Sequence, residues 1–294
     1  MEDLEAELER ARDLEIDALA DAIESIGFEC TRCGACCKGY YPDEEDPAET
    51  ETADGSDDGI DGDAGGTATE DGIASDADTR DGGAGETDRE PHTATVFPDE
   101  VRDLIEAANG DDLEGEVAEK EYDWRDVARP MPYGLSEDAD GNPVGETFEW
   151  ALQTDACGDC TFYREADGRG RCTVHDDRPL VCRTYPFSVA LGGTSQPMGE
   201  AVDGSGMVRA HECEGLGRDI ERADAESLAA ALKRRAVREL EESIAVRDAY
   251  DPTVRAGTHG DGHDENDGGN DGEPRDVVVF DSEGPKRGDG TPIE

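Results

Sequence analysis

The sequence predicts an α+β fold: a small cysteine-rich domain with flanking helices and disordered acidic segments. Three observations carry this. Apolar residues recur at helical spacing near both ends, at residues 3–26 and 219–248. Short β-prone runs lie between them. Two stretches, 42–90 and 251–275, are composed almost wholly of Asp, Glu, Gly and other small residues.

In chain order, Leu4, Leu8, Ala11, Leu14, Ile16, Leu19, Ile23 and Ile26 trace one apolar stripe, so residues 3–26 read as a single helix stopped by Gly27. A dense cysteine group follows. In 42–90, Ile60 and Ile73 are the sole large aliphatics, too few to bury a core, and this segment is expected to loop out unstructured. Order resumes with HTATVFP (His92–Pro98) as a short strand and PDEVRDLIEAANG (Pro98–Gly110) as a helix opened by proline and closed by Asn-Gly. TFEWALQT (Thr147–Thr154) reads as a strand, and Trp124, Tyr133, Phe148 and Trp150 read as core or shielding aromatics. Residues 183–212 hold short strand-like pieces. Ile220, Leu228, Ala231, Leu232, Ala236, Leu240, Ile244 and Val246 mark a long helix over 219–248. The expected organisation is one domain formed by 1–41 and 91–250, a disordered insertion at 42–90, a disordered linker at 251–275, and a tail at 276–294 with VVVF (Val277–Phe280) as a strand.

The 294 residues include 77 acidic and 27 basic side chains, a formal charge of -50. The excess is spread along the whole chain, with Lys nearly absent and Arg common, a composition resembling halophilic archaeal proteins. At about 1 M salt the Debye length is roughly 3 Å, which screens this self-repulsion. No basic patch is visible, so a nucleic-acid partner held through phosphates is not expected. Neither a signal peptide nor an apolar run of about 20 residues is found, so no membrane partner is expected and the predicted location is cytoplasmic. Nine cysteines in such a reducing compartment point to metal ligation or redox chemistry rather than a disulfide framework.

Cys30, Cys33, Cys36 and Cys37 form C-x2-C-x2-C-C, with Gly34 inside the turn. Closely spaced thiolates on a glycine-containing turn can converge on a soft metal. The neighbours Cys36 and Cys37 point in different directions, so they bind different atoms of a centre or one of them is not a ligand. A second group, CGDCTFYREADGRGRCTVHDDRPLVCRTYPF (Cys157–Phe187), supplies Cys160, Cys172 and Cys182 at spacings that suit a hairpin or returning loop, and Cys213 could close the site. Eight thiols could hold two tetrahedral zincs or one iron–sulfur cluster with ligands to spare. The radical-SAM spacing C-x3-C-x2-C is absent.

The C-x2-C-x2-CC motif, followed by C-x-F, G-R-C-x-V and R-P-L-x-C-R-x-Y-P-F, resembles the YkgJ family, also described as the CxxCxxCC zinc- or iron-chelating domain. The resemblance covers Phe28–Lys38, Cys160–Phe187 and Cys213. It implies a small metal-binding domain holding an iron–sulfur cluster or Zn2+ through Cys30, Cys33, Cys36, Cys37, Cys160, Cys172, Cys182 and Cys213. Cys157 is extra to the pattern, and the insertion after the first motif departs from it.

Arg178 and Arg183 flank Cys182, either offsetting the charge of a thiolate centre or binding an anion, or as ordinary ion pairs. His175 and His211 are further candidate ligands or donors to ligands, while His259 and His263 fall in the linker. No nucleophile-and-base arrangement is visible, so no catalytic residue is assigned. The expected function is metal or cluster binding, for electron transfer or metal handling. The alternatives are a cluster-dependent oxidoreductase or protein-methylating enzyme, since a similar cysteine domain is associated with flagellin lysine methylation, and a zinc-stabilised structural module.

Overall fold

The computed structural model describes residues 3–40, 90–110, 121–166, 169–192, 199–204, 206–254 and 277–293. The insertion 42–90 (bar Glu90), the linker 251–275 (bar its first four residues) and His259 and His263 therefore lie outside the described residues. Those described contain both helices and strands, in keeping with an α+β fold.

The amino-terminal stripe forms two helices rather than one: α1 (Leu4–Arg12) and α2 (Ile16–Ile26). The break falls at Asp13–Glu15, where Leu14 turns inward at 7% exposure and the Lys233 ammonium donates to its carbonyl at 2.7 Å. Lys233 belongs to α6 (Arg222–Ala249), against which both short helices pack. The buried face of α6 is Ala225, Ala229, Leu232, Ala236 and Leu240, at the helical spacing that groups side chains on one side. Gly27 caps α2 at φ 74°, and a Cβ there would run into the Arg218 carbonyl oxygen. Only glycine suits both demands.

Helix α3 (Pro98–Asn109) forms where the sequence placed it, with Val101, Leu104 and Ala108 buried. The strand expected over 92–98 is a two-residue β1 (Thr95–Val96). A short α4 (Trp124–Val127) leads into β2 (Ala128–Pro130). The single strand expected over Thr147–Thr154 is divided between two sheets. β4 (Pro143–Thr147) pairs with β3 (Leu135–Glu137), whereas β5 (Trp150–Leu152) is the centre of a β1–β5–β2 sheet. The switch occurs at Phe148, which is 48% exposed and stacks on Phe280. Tyr133, at 73% exposure, is likewise outside the core, while Trp150 is fully buried.

β6 (Tyr163–Ala166) and β7 (Arg169–Cys172) form a hairpin ahead of α5 (Leu180–Thr184). β8 (Phe187–Val189), β9 (Glu200–Ala201) and β10 (Val208–Ala210) make a small antiparallel sheet. The carboxy-terminal VVVF run is β11 (Val277–Asp281), paired in parallel with β4 and antiparallel with β12 (Gly284–Arg287). Every residue of β11 is buried, so this segment is a core strand. Its last residue, Asp281, accepts from Lys286 Nζ at 2.6 Å and Trp150 Nε1 at 2.8 Å in a buried network.

Two apolar cores result. One joins α1, α2 and α6 to β8 and β10 through Leu19, Ile23, Leu232 and Phe187. The other gathers Val96, Leu104, Trp150, Phe162 and Val279. Full burial of such side chains contributes about 1.5–3 kcal/mol each.

Candidate metal centre

A cleft of about 2160 Å³ is lined by Phe28, which packs on the first core, and by Phe162 and Val174 of the second. Its wall also contains Cys30, Cys33, Cys36, Cys37, Cys160, Cys172, Cys182 and Cys213. Cys157 does not line it. That side chain is exposed, so it is not the small buried hydrophobe a stray cysteine often becomes; its N–H donates to Asp155 Oδ1 at 2.8 Å in a surface turn.

Local chemistry explains how the chain reaches this arrangement. The loop after α2 is tied to the segment around Cys213: Glu29 N–H donates to the Gly215 carbonyl at 3.0 Å, and Gly217 N–H to the Gly27 carbonyl at 3.1 Å. These bonds hold Cys30 near Cys213. Gly34 then adopts φ 81° and starts a 3₁₀ turn over Ala35–Cys37. A Cβ on Gly34 would strike the Tyr163 phenol. Arg32 accepts the Gly170 N–H at 2.8 Å, docking the loop on the β6–β7 hairpin, and Cys37 accepts the Cys160 N–H at 2.8 Å.

Cys182 rides on α5, which is held at both ends. At its start, Glu100 Oε1 accepts the Leu180 N–H at 2.8 Å while its other oxygen accepts the Phe97 N–H at 3.2 Å. At its end, Arg235 donates to Thr184 Oγ1 at 3.1 Å. Burial raises the Glu100 pKa, and the two amide donors oppose that rise. Glu100, Arg235 and Tyr163 are positioning residues that sequence reading passed over. An acid opening a helix and an arginine inside one have ordinary local roles, and only the fold shows them meeting α5.

The thiols sense one another. Cys36 and Cys37 sulfurs stand 3.9 Å apart and share a hydrogen bond that favours a thiolate on one of them. Cys36, which also faces the Arg178 guanidinium, is brought down to about 7, whereas Cys37 is held well above an ordinary thiol. Burial pushes Cys160 up to about 12 and raises Cys172 and Cys182, with neighbouring sulfurs adding to the rise. Cys213 is raised by burial and by Cys33, Cys36 and Cys30. Thiols that oppose each other's ionisation are a donor set that a cation relieves. Among the described residues, no three His, Cys, Asp or Glu side chains stand at mutual separations that already hold a metal ion.

Of the two arginines, Arg178 bears electrostatically on Cys36, Cys172 and Cys182. Arg183 instead closes the loop before α5, donating to the Arg178 carbonyl at 2.6 Å and the Asp176 carbonyl at 2.7 Å. His175 and His211 both line the cleft. His211 stacks on Tyr185, and His175 Nδ1 lies 3.3 Å from Asp176 Oδ1.

Residues 113–239 match the family model named CxxCxxCC and described as a zinc- or iron-chelating domain. The matched range contains Cys157, Cys160, Cys172, Cys182 and Cys213, and begins after the C-x2-C-x2-CC motif. No curated protein and no solved structure matches the chain. Among the described residues, no helix is long and apolar enough to cross a membrane.

Proposed function

We propose that this chain binds zinc or an iron–sulfur centre through Cys30, Cys33, Cys36, Cys37, Cys160, Cys172, Cys182 and Cys213, in a role of metal handling or electron transfer. The observation that carries the reading is the lining of one cleft by all eight of these cysteines and not by the ninth. The donor chemistry fits: soft thiolates suit zinc and iron alike, and Arg178 offsets part of their charge. Zinc would cross-link the walls of the cleft, and an iron–sulfur centre would carry an electron. Anaerobic purification in molar salt, followed by metal analysis, sulfide assay and visible absorption, tests the reading and chooses between the metals. Metal-free protein from metal-replete cells would sink it.

A second reading, a cluster-dependent oxidoreductase, draws on the size of the cleft. Ligand pockets commonly occupy about 300–1,000 Å³. This cleft is larger, and its lining also includes His92, Tyr122 and Met131. Turnover of a dye or a redox partner by the loaded protein would favour it over a structural zinc site.

A further inference from the structure

The eight cysteines of the cleft divide into two sets by whether they pack on the second core. Cys160 is in the second apolar core at 6% exposure, and Cys37, Cys172 and Cys182 pack against that core. These four come from the 3₁₀ turn, the loop before β6, the end of β7 and α5. The hydrogen bond from the Cys160 N–H to the Cys37 carbonyl, the β6–β7 hairpin, and the Glu100 and Arg235 contacts to α5 hold them together. The remaining four, Cys30, Cys33, Cys36 and Cys213, belong to neither core. Cys30 and Cys36 are exposed, and Cys33 and Cys213 are half-buried. Cys30, Cys33 and Cys213 sit where the loop after α2 meets the Cys213 segment, joined by the Phe28–Leu216 bridge and the Glu29–Gly215 bond. Cys36 follows in the 3₁₀ turn, within electrostatic reach of Cys213 as well as of the inner sulfurs.

From this division we infer that the cleft holds two separate four-thiol centres: an inner one, against the second core, on Cys37, Cys160, Cys172 and Cys182, and an outer one on Cys30, Cys33, Cys36 and Cys213. The inference rests on the metal-binding reading above and adds the number of centres and their ligands. Four thiolates complete a tetrahedral zinc site or a cubane cluster, so a four-and-four division leaves neither set short. Cys36 and Cys37, neighbours in one 3₁₀ turn with their sulfurs 3.9 Å apart, are where the two sets meet, one supplied to each centre. Different burial gives different lability. Both exposed cysteines of the cleft, Cys30 and Cys36, belong to the outer set, whereas the inner set packs on the second core around Phe162 and Val174, so a chelator reaches the outer metal first.

The test uses the full-length chain, purified anaerobically in molar salt and loaded with Zn2+. Zinc per chain is measured by elemental analysis, and release to a chromogenic chelator is followed in time. The expected result is two zinc ions per chain, leaving in two phases of equal amplitude. Cys30→Ser and Cys213→Ser should each remove the fast phase and halve the zinc, with the slow phase and the circular dichroism spectrum unchanged. Cys172→Ser should remove the slow phase. Because Cys172→Ser could unfold the chain, the outer-set variants and the wild-type release curve decide the matter alone. A single release phase, or loss of all zinc in Cys30→Ser, would overturn the two-centre inference and leave metal binding standing. Wild-type protein that takes up no zinc or iron would overturn the metal-binding reading itself, and this inference with it.

Discussion

Tyr40 and Glu90 exchange both backbone hydrogen bonds, 2.9 Å from Tyr40 N–H to the Glu90 carbonyl and 2.7 Å in the other direction. Forty-nine intervening residues, 41–89, thus leave and return at one isolated antiparallel bridge, three residues beyond Cys37. The Tyr40 phenol and the Glu90 carboxylate also hydrogen-bond. The acidic insertion therefore leaves and rejoins the described residues at this one bridge.

A direct prediction concerns that attachment. Two strands paired in this way can be closed by a two-residue Asn-Gly turn. Replacing 41–89 with Asn-Gly should leave zinc or iron per chain unchanged and the circular dichroism spectrum of the folded part intact. Loss of more than half the metal would show that the insertion contributes ligands or shields the centre.

Gly34 supplies a second. Any other residue at φ 81° costs about 1–2 kcal/mol in backbone energy. Its Cβ would in addition displace the Tyr163 ring, which lies against the same spot. Gly141 has φ 82° with nothing within 4 Å, so Gly141→Ala measures the backbone cost alone. Gly34→Ala should lower Tm by more than Gly141→Ala, at about 2–4 °C per kcal/mol for a chain of this size. It should also weaken metal retention, which Gly141→Ala should not. Equal Tm losses for the two would show that Tyr163 gives way freely.

These residues also show how far the sequence could be read. Gly34 and Gly27 were legible because a left-handed turn and a helix stop leave a local signature that glycine alone satisfies. The cysteine grouping was legible for the same reason, since thiols spaced for a metal are a local pattern. The break at Leu14 was not. The apolar stripe runs through it unbroken, and what favours two helices is the fit of both to α6, some two hundred residues later, with Lys233 meeting the freed carbonyl. The division of Thr147–Thr154 between two sheets was hidden likewise, because β4 takes β11 as its parallel partner from the far end of the chain. Alternation along one strand says nothing about which sheet each half joins. The clamp of Glu100 and Arg235 on α5 is a tertiary contact with no sequence spacing to reveal it.

His92 gives a pH dependence. It lines the cleft, and burial, assisted by Arg129, lowers its pKa from 6.5 to about 4. The folded state thus binds this proton less readily than the unfolded chain does. Above about pH 6.5 the ring is neutral in both states and stability is unaffected. Between that pH and about 4, the unfolded state takes up the proton first, and stability falls by up to about 3 kcal/mol. Urea denaturation in molar salt at pH 7.5 and 4.5 measures the loss, and His92→Gln should flatten its histidine share. An unchanged slope in that variant would assign the acid sensitivity to other groups.

The strongest structural prediction lies at the carboxy terminus. Asp281 is 1% exposed, and its Oδ2 accepts from both Lys286 Nζ and Trp150 Nε1. Lys286 is 4% exposed, also donates to Glu283 at 2.8 Å, and lies over the Trp124 ring at 5.5 Å. Removing one partner of a buried ion pair costs about 3–5 kcal/mol where the other charge is left uncompensated, which sets the upper bound here because Glu283 still faces Lys286. Asp281→Ala should therefore destabilise, leaving the buried ammonium with Glu283 as its remaining carboxylate and the Trp150 indole N–H without its acceptor. Asp281→Asn retains an acceptor for Trp150 but not the charge, and should fall between. Because β11 pairs with β4 and Trp150 is the centre of the neighbouring sheet, the loss should be felt as cooperative unfolding of the second core rather than fraying of a tail. The measurement is the chemical denaturation midpoint of each variant in molar salt. A double variant, Asp281→Ala with Lys286→Met, removes the buried ammonium and should recover part of the loss. If it recovers none, the stabilisation comes from the Trp150 hydrogen bond and the packing around it rather than from the ion pair.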